Sequence, residues 1–504
     1  VRRTPETRLK KMLAIFDLVK NYADAGKITE IRWNSTDLGS WESVQPGWRV
    51  LNGRIRFRFS TPDRAHQYWV ASIKPTPWGV RVLLTDLVAP VPGVFDISWK
   101  ESVPEFVASP ELWDTVRHWL ASRFPCHRIV TAGKRSCLAH TLSGKFLRVV
   151  FRHGQGTRYL IAADEDVGDE IHKALGQALV WLSWLFAGKK PNRPPEVDIL
   201  IPAGTGAPLV HRSRLLNSGR IKVHVWEYSP GFEVRKASSQ DPPVEDRDFR
   251  WPVLGPFRWS PQLEKILNLA PALIRRYPRF QDYDSLRLWG LEFARVMGPE
   301  RDRVCFGVGT QRTDLTEDNF PTLSSLVDEI LYFRRPDSPD IRHPYYRLQA
   351  ERWLEALVLE DVAQLFPEMA PESVYSQIPV YLGKDPGRID ILGADRSGTL
   401  IVIELKVAPD SDLPLQALDY WGRVIQHNDN GDFEHRGYFS EVRLNRNRPR
   451  IYLVSPVFSF HDTTENLLRF LDPELEVWKV SINEDWRTGV KVVRRLRYRC
   501  GEPG

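Results

Sequence analysis

Two short runs near the C-terminal end, Arg388–Leu392 (RIDIL) and Leu400–Val407 (LIVIELKV), constrain this chain more than any other feature. Both are apolar and rich in β-branched residues, and Ala394–Gly398 between them is a cluster of turn residues, so the pair reads as a β-hairpin. Side chains alternate between faces along a strand. Glu404 and Lys406 therefore share a face, and Asp390 on the partner strand falls within a residue or two of being opposite them. This places two carboxylates and an ammonium in a strand pair otherwise built from Ile, Leu and Val. An isolated charge there costs on the order of several kcal/mol. A cation held by Asp390 and Glu404, with Lys406 as counter-charge, offsets that cost, and hard carboxylate oxygens suit Mg²⁺. Downstream, Leu413–Ile425 has helical periodicity and carries Gln416 and Tyr420 on one helix face. The competing reading, an exposed edge hairpin with a solvated Glu/Lys pair, fits poorly with flanking residues that are apolar on both faces.

The combination resembles the PD-(D/E)XK nuclease superfamily. Asp390 matches the first acid, Glu404-Leu405-Lys406 the E-x-K, and Gln416-x-x-x-Tyr420 the Q-x-x-x-Y signature of the RecB-type branch. The proline that names the superfamily is missing, and Arg388-Ile389 stands before Asp390. The resemblance covers about the last third of the chain. It implies an α/β fold, a restriction-endonuclease-like mixed sheet flanked by helices, and a nuclease that uses Mg²⁺ (or Mn²⁺) to hydrolyse phosphodiester bonds in DNA. It further implies that Asp390, Glu404 and the Leu405 carbonyl hold the ion. Lys406 would position the attacking water and stabilise developing negative charge, with Gln416 and Tyr420 orienting Lys406 and the phosphate. The superfamily also uses a helical Glu ahead of the Asp. In the helical run Gln349–Leu365 the apolar stripe contains Leu354, Val358, Val362 and Leu365. Glu351 lies in the middle of that stripe and Glu355 at its margin, so Glu351 is the favoured acid; a carboxylate placed near a helix N-terminus by the helix dipole is the plainer account.

Composition limits the remaining options. The chain has 504 residues, enough for two or three domains, and a net charge of +6, which is permissive for nucleic acid. Cys126, Cys137, Cys305 and Cys500 are scattered and give no disulfide framework. Cys126, His127, Cys137 and His140 lack the paired spacing of a zinc site. The apolar run Ala174–Ala187 is too short to span a bilayer, and a cytoplasmic, membrane-free protein is expected. No Walker A loop occurs, so any helicase motor is expected from another chain; H-E-x-x-H and G-x-S-x-G are also absent.

Five regions are expected. Residues 1–108 are strand-rich after an amphipathic helix at Arg8–Asn21, with Arg54, Arg56 and Arg58 forming a solvated stripe. Residues 109–230 read as a degenerate second copy of the nuclease-like domain. Helix, two strands, a Gln177-Ala178-Leu179 helix and two more strands follow in the same order as downstream, but Ala162 stands at the Glu404 position and Asp164 at the Lys406 position. Residues 231–261 are a proline-rich linker, 262–344 a strand-rich intermediate region, and 345–504 the nuclease domain. His427–His435 reads as a polar loop. In the closing strand, Lys491, Arg495, Arg497 and Arg499 share a face and are expected to contact the DNA backbone. The two copies are expected to pair as a pseudo-dimer within the chain, or the whole chain as a homodimer. The rival to a nuclease is a catalytically silent DNA-binding or assembly scaffold on the same fold.

Overall fold

Short apolar strands punctuated by turn residues assemble, in the computed structural model, into four sheets among the described residues. Those residues are 5–24, 28–34, 36–51, 53–61, 65–76, 79–85, 93–99, 110–134, 142–187, 191–238, 260–278, 283–298, 303–382 and 385–499. Cys137, His140, Cys500 and most of the expected linker (239–259) lie outside them. The chain divides into two units, Val1–Gly206 with Lys222–Ala237, and Ala207–Ile221 with Ser238–Gly504.

The first unit opens with α1 (Pro5–Asp24) and a seven-stranded antiparallel sheet. Its elements are β1 (Ile28–Trp33), β2 (Thr36–Gly39), α2 (Trp41–Val44), β3 (Gly47–Leu51), β4 (Arg54–Ser60), β5 (Ala65–Thr76), β6 (Gly79–Thr85) and β7 (Gly93–Trp99), ordered β2-β1-β7-β6-β5-β4-β3. Strict alternation along β4 buries Ile55, Phe57 and Phe59 beneath Phe16 and Val19 of α1 and turns the three arginines to the other face. There follow α3 (Pro110–Arg123), β8 (Arg128–Gly133), β9 (Leu147–His153), β10 (Gly156–Ala162), α4 (Ala174–Leu185), β11 (Glu196–Pro202), α5 (Ala207–Arg214), β12 (Lys222–Ser229) and β13 (Glu233–Lys236). The six strands pair in sequence order, antiparallel except for β10-β11 and β11-β12, which are parallel. Segment Ala207–Ile221, and α5 with it, is counted in the second unit.

In the second unit α6 (Pro261–Leu267) precedes a five-stranded antiparallel sheet: β14 (Ile274–Pro278), β15 (Tyr283–Leu288), β16 (Leu291–Met297), β17 (Arg303–Phe306) and β18 (Thr313–Asp314). Then come α7 (Phe320–Phe333), α8 (Pro344–Arg347), α9 (Ala350–Glu360), α10 (Val362–Leu365), β19 (Met369–Leu382), β20 (Asp385–Asp395), β21 (Leu400–Leu405), α11 (Leu413–Asn430), α12 (Asp432–His435), β22 (Arg450–Pro456), α13 (Thr464–Leu468), β23 (Glu476–Ile482) and β24 (Val492–Arg499). These six strands too pair in sequence order, with β21-β22 and β22-β23 parallel and the rest antiparallel. In each six-stranded sheet a helix precedes the first strands, a long helix joins the third strand to the fourth, and a short helix joins the fourth to the fifth.

Burial on both faces explains why β21 is a continuous apolar run. Ile391, Ile401, Ile403 and Leu405 pack against Trp353, Leu354, Val358, Val362 and Leu365 of α9 and α10. Leu392, Leu400 and Val402 pack against Tyr420 and Val424 of α11, and Phe433. Each such fully buried side chain contributes roughly 1.5–3 kcal/mol.

Several boundaries differ from the sequence reading. The helix expected at Gln349–Leu365 breaks at Asp361, where φ is −116°. The strand expected at Ser285–Val296 is a hairpin, because Trp289 (φ 40°) and Gly290 (φ 76°) adopt the positive φ that a two-residue turn with a primed twist needs. Both ends of the expected linker are regular structure: Glu233–Lys236 pairs with β12 as an edge strand, and Ser260 caps α6. The expected polar loop at 427–435 is the last turn of α11 and all of α12, hinged at Gly431 (φ 72°). His427 is buried and meets Asp432 at 3.1 Å.

Candidate functional site

The site forms where β20 and β21 stop pairing. Their register runs from Ala394↔Leu400 to Ile391↔Ile403 and ends there, while β21 continues alongside β22 as Glu404↔Leu453 and Leu405↔Val454. The Leu405 N–H thereby loses its place in the ladder, and the Asp390 carboxylate replaces the missing carbonyl, accepting from it at 2.9 Å. Across the other edge of β20, Ser376 pairs with Ile391 and Ile378 with Ile389, which puts Gln377 opposite Asp390. Gln377 has φ 58°, and its Nε2 donates to Glu355 at 2.7 Å and to Asp390 at 3.3 Å.

Two cations complete the cluster. Arg352 Nη1 meets Glu355 at 2.9 Å and Asp390 at 3.9 Å. Lys406 Nζ meets Glu404 at 3.4 Å and Glu351 at 4.0 Å. Gln349, Ala350, Glu351, Arg352, Asp390 and Val407 line a cleft that opens onto the cluster. Of the two helical acids, Glu355 is the buried one (side chain 2% exposed) and Glu351 stands at the mouth (42%). The apolar stripe that pointed to Glu351 drew on Val362 and Leu365, which belong to α10 beyond the break, and Glu351 sits in the first turn of α9, past the packed core. Gln416 and Tyr420 do lie on one face of α11, and Gln416 Nε2 donates to Tyr420 Oη at 2.9 Å.

Electrostatically the site is short of positive charge. Burial, opposed by the Leu405 N–H, Arg352 and Lys406, pushes Asp390 up to about 6. Burial also pushes Glu355 up to about 7, with Arg352 and Arg287 pulling the other way. Glu404 is raised well above the usual carboxylate range by burial and then by Asp390. Burial works against the Lys406 ammonium, but Glu404, Glu351 and Asp390 outweigh it and raise its pKa, so Lys406 stays charged at neutral pH. Burial, then the charge of Glu404, lifts the Tyr420 phenol to about 12. Glu404 Oε2 is buried without a hydrogen-bond partner. An orphaned carboxylate oxygen beside a second carboxylate is what an oxygen-seeking divalent cation fits. Among the described residues no three His, Cys, Asp or Glu side chains cluster as metal ligands, so such an ion would rest on Asp390, Glu404 and a main-chain carbonyl.

The frame of the site is set by Arg334, which is fully buried with no carboxylate among its hydrogen-bond acceptors. Its guanidinium donates to Trp289 O at 3.0 and 2.9 Å, to Tyr345 O at 2.7 Å, to Leu348 O at 2.6 Å and to Gln349 O at 3.2 Å. Burial, with Arg487 nearby, pushes its pKa down to about 9. One side chain thus ties the β15–β16 turn to the segment that starts α9. At that turn a Cβ on Gly290 would run into the carbonyl of Arg352, so glycine is needed for the approach.

The C-terminal basic stripe is partly committed within its own unit. Arg495 donates to Leu365 O, lies 3.6 Å from Glu368 and stacks 5.5 Å from the Phe366 ring. Arg497 pairs with Glu476 at 3.0 Å. Lys491 is exposed, and the Arg499 side chain lies outside the described residues. Upstream, Ala162 is buried, and Asp164 pairs with Lys134 at 2.8 Å in a buried ion pair. Gln177 accepts from the Ser143 N–H at 2.8 Å, and Trp181 packs edge-on to Tyr159.

Sequence reasoning passed over Arg352 and Gln377. Arg352 was legible as the i, i+3 partner of Glu355. Gln377 carries no such signal, because its role depends on a strand pairing and a left-handed backbone. No helix among the described residues is long and apolar enough to cross a membrane. No protein-family model matches this chain, and no curated protein sequence matches it.

Proposed function

We propose that the region from Pro344 to Arg499 is a Mg²⁺-dependent nuclease of the PD-(D/E)XK type, cutting phosphodiester bonds in DNA. The observation that carries this reading is the buried, unpartnered Glu404 Oε2 beside Asp390, in a cluster where carboxylates outnumber nearby cations. Asp390, Glu404 and the Leu405 carbonyl would hold the ion. When bound, the ion supplies a Lewis acid for the phosphate and lowers the pKa of a coordinated water. Lys406, held charged by Glu404 and Glu351, offers its ammonium to negative charge developing on the phosphate. Tyr420, protonated at neutral pH, keeps its hydroxyl as a donor and fixes Gln416. Glu355 and Gln377 set the position of Asp390 from behind.

The upstream sheet fits a degenerate copy of the same restriction-endonuclease-like fold. The support is the shared strand order and the shared pattern of parallel and antiparallel pairs. With Ala162 apolar and Asp164 already neutralised by Lys134, that copy is assigned no catalysis.

The test is incubation of the full chain with labelled single-stranded, duplex and branched DNA in Mg²⁺, Mn²⁺ and EDTA, beside Lys406→Ala. Cleavage that needs the metal, and a Lys406→Ala protein that binds DNA but cuts roughly 10²–10³ times more slowly, is the expected result. A Lys406→Ala protein that cuts at the unmodified rate would overturn the reading.

A further inference from the structure

The four carboxylates of the site divide between two cations. Lys406 serves Glu404 and Glu351, and Arg352 serves Glu355 and Asp390. The two cations are held differently. Lys406 is enclosed, with 13% of its side chain exposed, whereas Arg352 is 23% exposed and lines the open cleft from the first turn of α9. Asp390 also divides its oxygens. Oδ2 is committed to the Leu405 N–H, leaving Oδ1 to face Gln377 at 3.3 Å and Arg352 at 3.9 Å. That separation from Arg352 is ion-pair range without a hydrogen bond, so Arg352 neutralises Asp390 Oδ1 without occupying it.

We propose that Arg352 is a resident counter-cation that competes with the divalent ion for Asp390, and so sets the affinity of the site for metal. The inference rests on the nuclease reading for the identity of the ion. A guanidinium is always protonated and cannot leave by losing its proton, so it yields only by moving into the cleft as a second cation arrives. Arg352 therefore holds the metal-free site together and weakens metal binding. Glu355 is bonded to both Arg352 and Gln377, and keeps the Gln377 hydrogen bond when Arg352 withdraws. Glu404 and Lys406 form the fixed half of the site, and Asp390 and Arg352 the exchangeable half.

The test is calorimetric titration of the full chain with Mn²⁺ at pH 7.5, using the unmodified protein, Arg352→Gln, Arg352→Lys and Asp390→Asn, with thermal unfolding in EDTA and in Mn²⁺ alongside. Arg352→Gln should bind Mn²⁺ at least tenfold more tightly, melt lower in EDTA and gain more from Mn²⁺ than the unmodified chain. Arg352→Lys keeps a cation there and should stay within threefold of the unmodified affinity. An Arg352→Gln protein that folds only in Mn²⁺ supports the proposal. Unmodified protein that binds Mn²⁺ through Asp390, with Arg352→Gln equal or weaker, overturns this inference and leaves the nuclease reading standing. No Asp390-dependent Mn²⁺ binding in either protein sinks both.

Discussion

Removing the charge at Asp390 should stabilise the metal-free protein while abolishing its chemistry. In the folded chain burial lifts Asp390 from 3.8 to about 6. At about 1.36 kcal/mol per pKa unit, the ionised carboxylate costs about 3 kcal/mol at pH 7.5 relative to the unfolded chain. Asparagine removes that cost and still accepts from the Leu405 N–H. Its amide opposes the Gln377 amide, a loss of about 1 kcal/mol. The net gain is about 2 kcal/mol, or about 4 °C for a unit of this size. The pH profile identifies the cause. A carboxylate with a raised folded-state pKa keeps a proton that the unfolded chain releases, so the contribution of Asp390 to stability falls as pH rises from about 4 to about 6 and is level above that. Asp390→Asn lacks this slope, so its advantage of about 2 kcal/mol should disappear by about pH 4. Differential scanning calorimetry of both proteins in EDTA from pH 4 to 8, repeated with saturating Mg²⁺, measures all of this. With Mg²⁺ the order should reverse, since only the unmodified protein gains from binding. An Asp390→Asn protein that melts below the unmodified one at pH 7.5 in EDTA, or a gap independent of pH, refutes the reasoning.

The other predictions concern the supports of the site. Arg334→Lys cannot fill the five hydrogen bonds of the buried guanidinium and should cost roughly 3–5 kcal/mol, read by denaturant unfolding, with Arg334→Met no better because the carbonyls stay unpaired. Arg212→Ala should cost a similar 3–5 kcal/mol, since Arg212 Nη2 meets Asp419 at 2.6 Å with both side chains buried, and the carboxylate would be left without its cation; Asp419→Asn in the same background should recover part of the loss. At the C-terminal stripe, Lys491→Ser, just ahead of β24, should lower the salt dependence of DNA binding by about one phosphate contact, whereas Arg495→Ser should act mainly on melting temperature; a large change in salt slope with Arg495→Ser would show that Arg495 reaches the DNA backbone.

Some of this protein could be read directly along the chain. The hairpin around Ala394–Gly398, the shared face of Glu404 and Lys406, and the helix carrying Gln416 and Tyr420 are all local. They depend on turn chemistry and on periods of two and 3.6, which are properties of a few consecutive residues. The matching order of elements in the two six-stranded sheets was legible for the same reason, because a pattern of strands and helices survives when individual residues do not. What only the tertiary structure decided involves residues far apart in sequence. Gln377 reaches Asp390 because β19, which has no distinctive pattern of its own, pairs across from it. Glu355 rather than Glu351 is buried because the break at Asp361 resets the helix, and depth along a helix is invisible to a wheel. Two of the arginines expected to contact DNA are held by Leu365, Glu368 and Glu476, partners that a stripe of charge does not announce. Asp390 is visible in the sequence as a carboxylate, but its raised pKa comes from burial, which outweighs the opposing pull of the orphaned Leu405 N–H that it meets where the strands part at Ile391 and Ile403. Sequence names the groups; the dielectric and the neighbours that set their chemistry exist only once the sheets have closed around them.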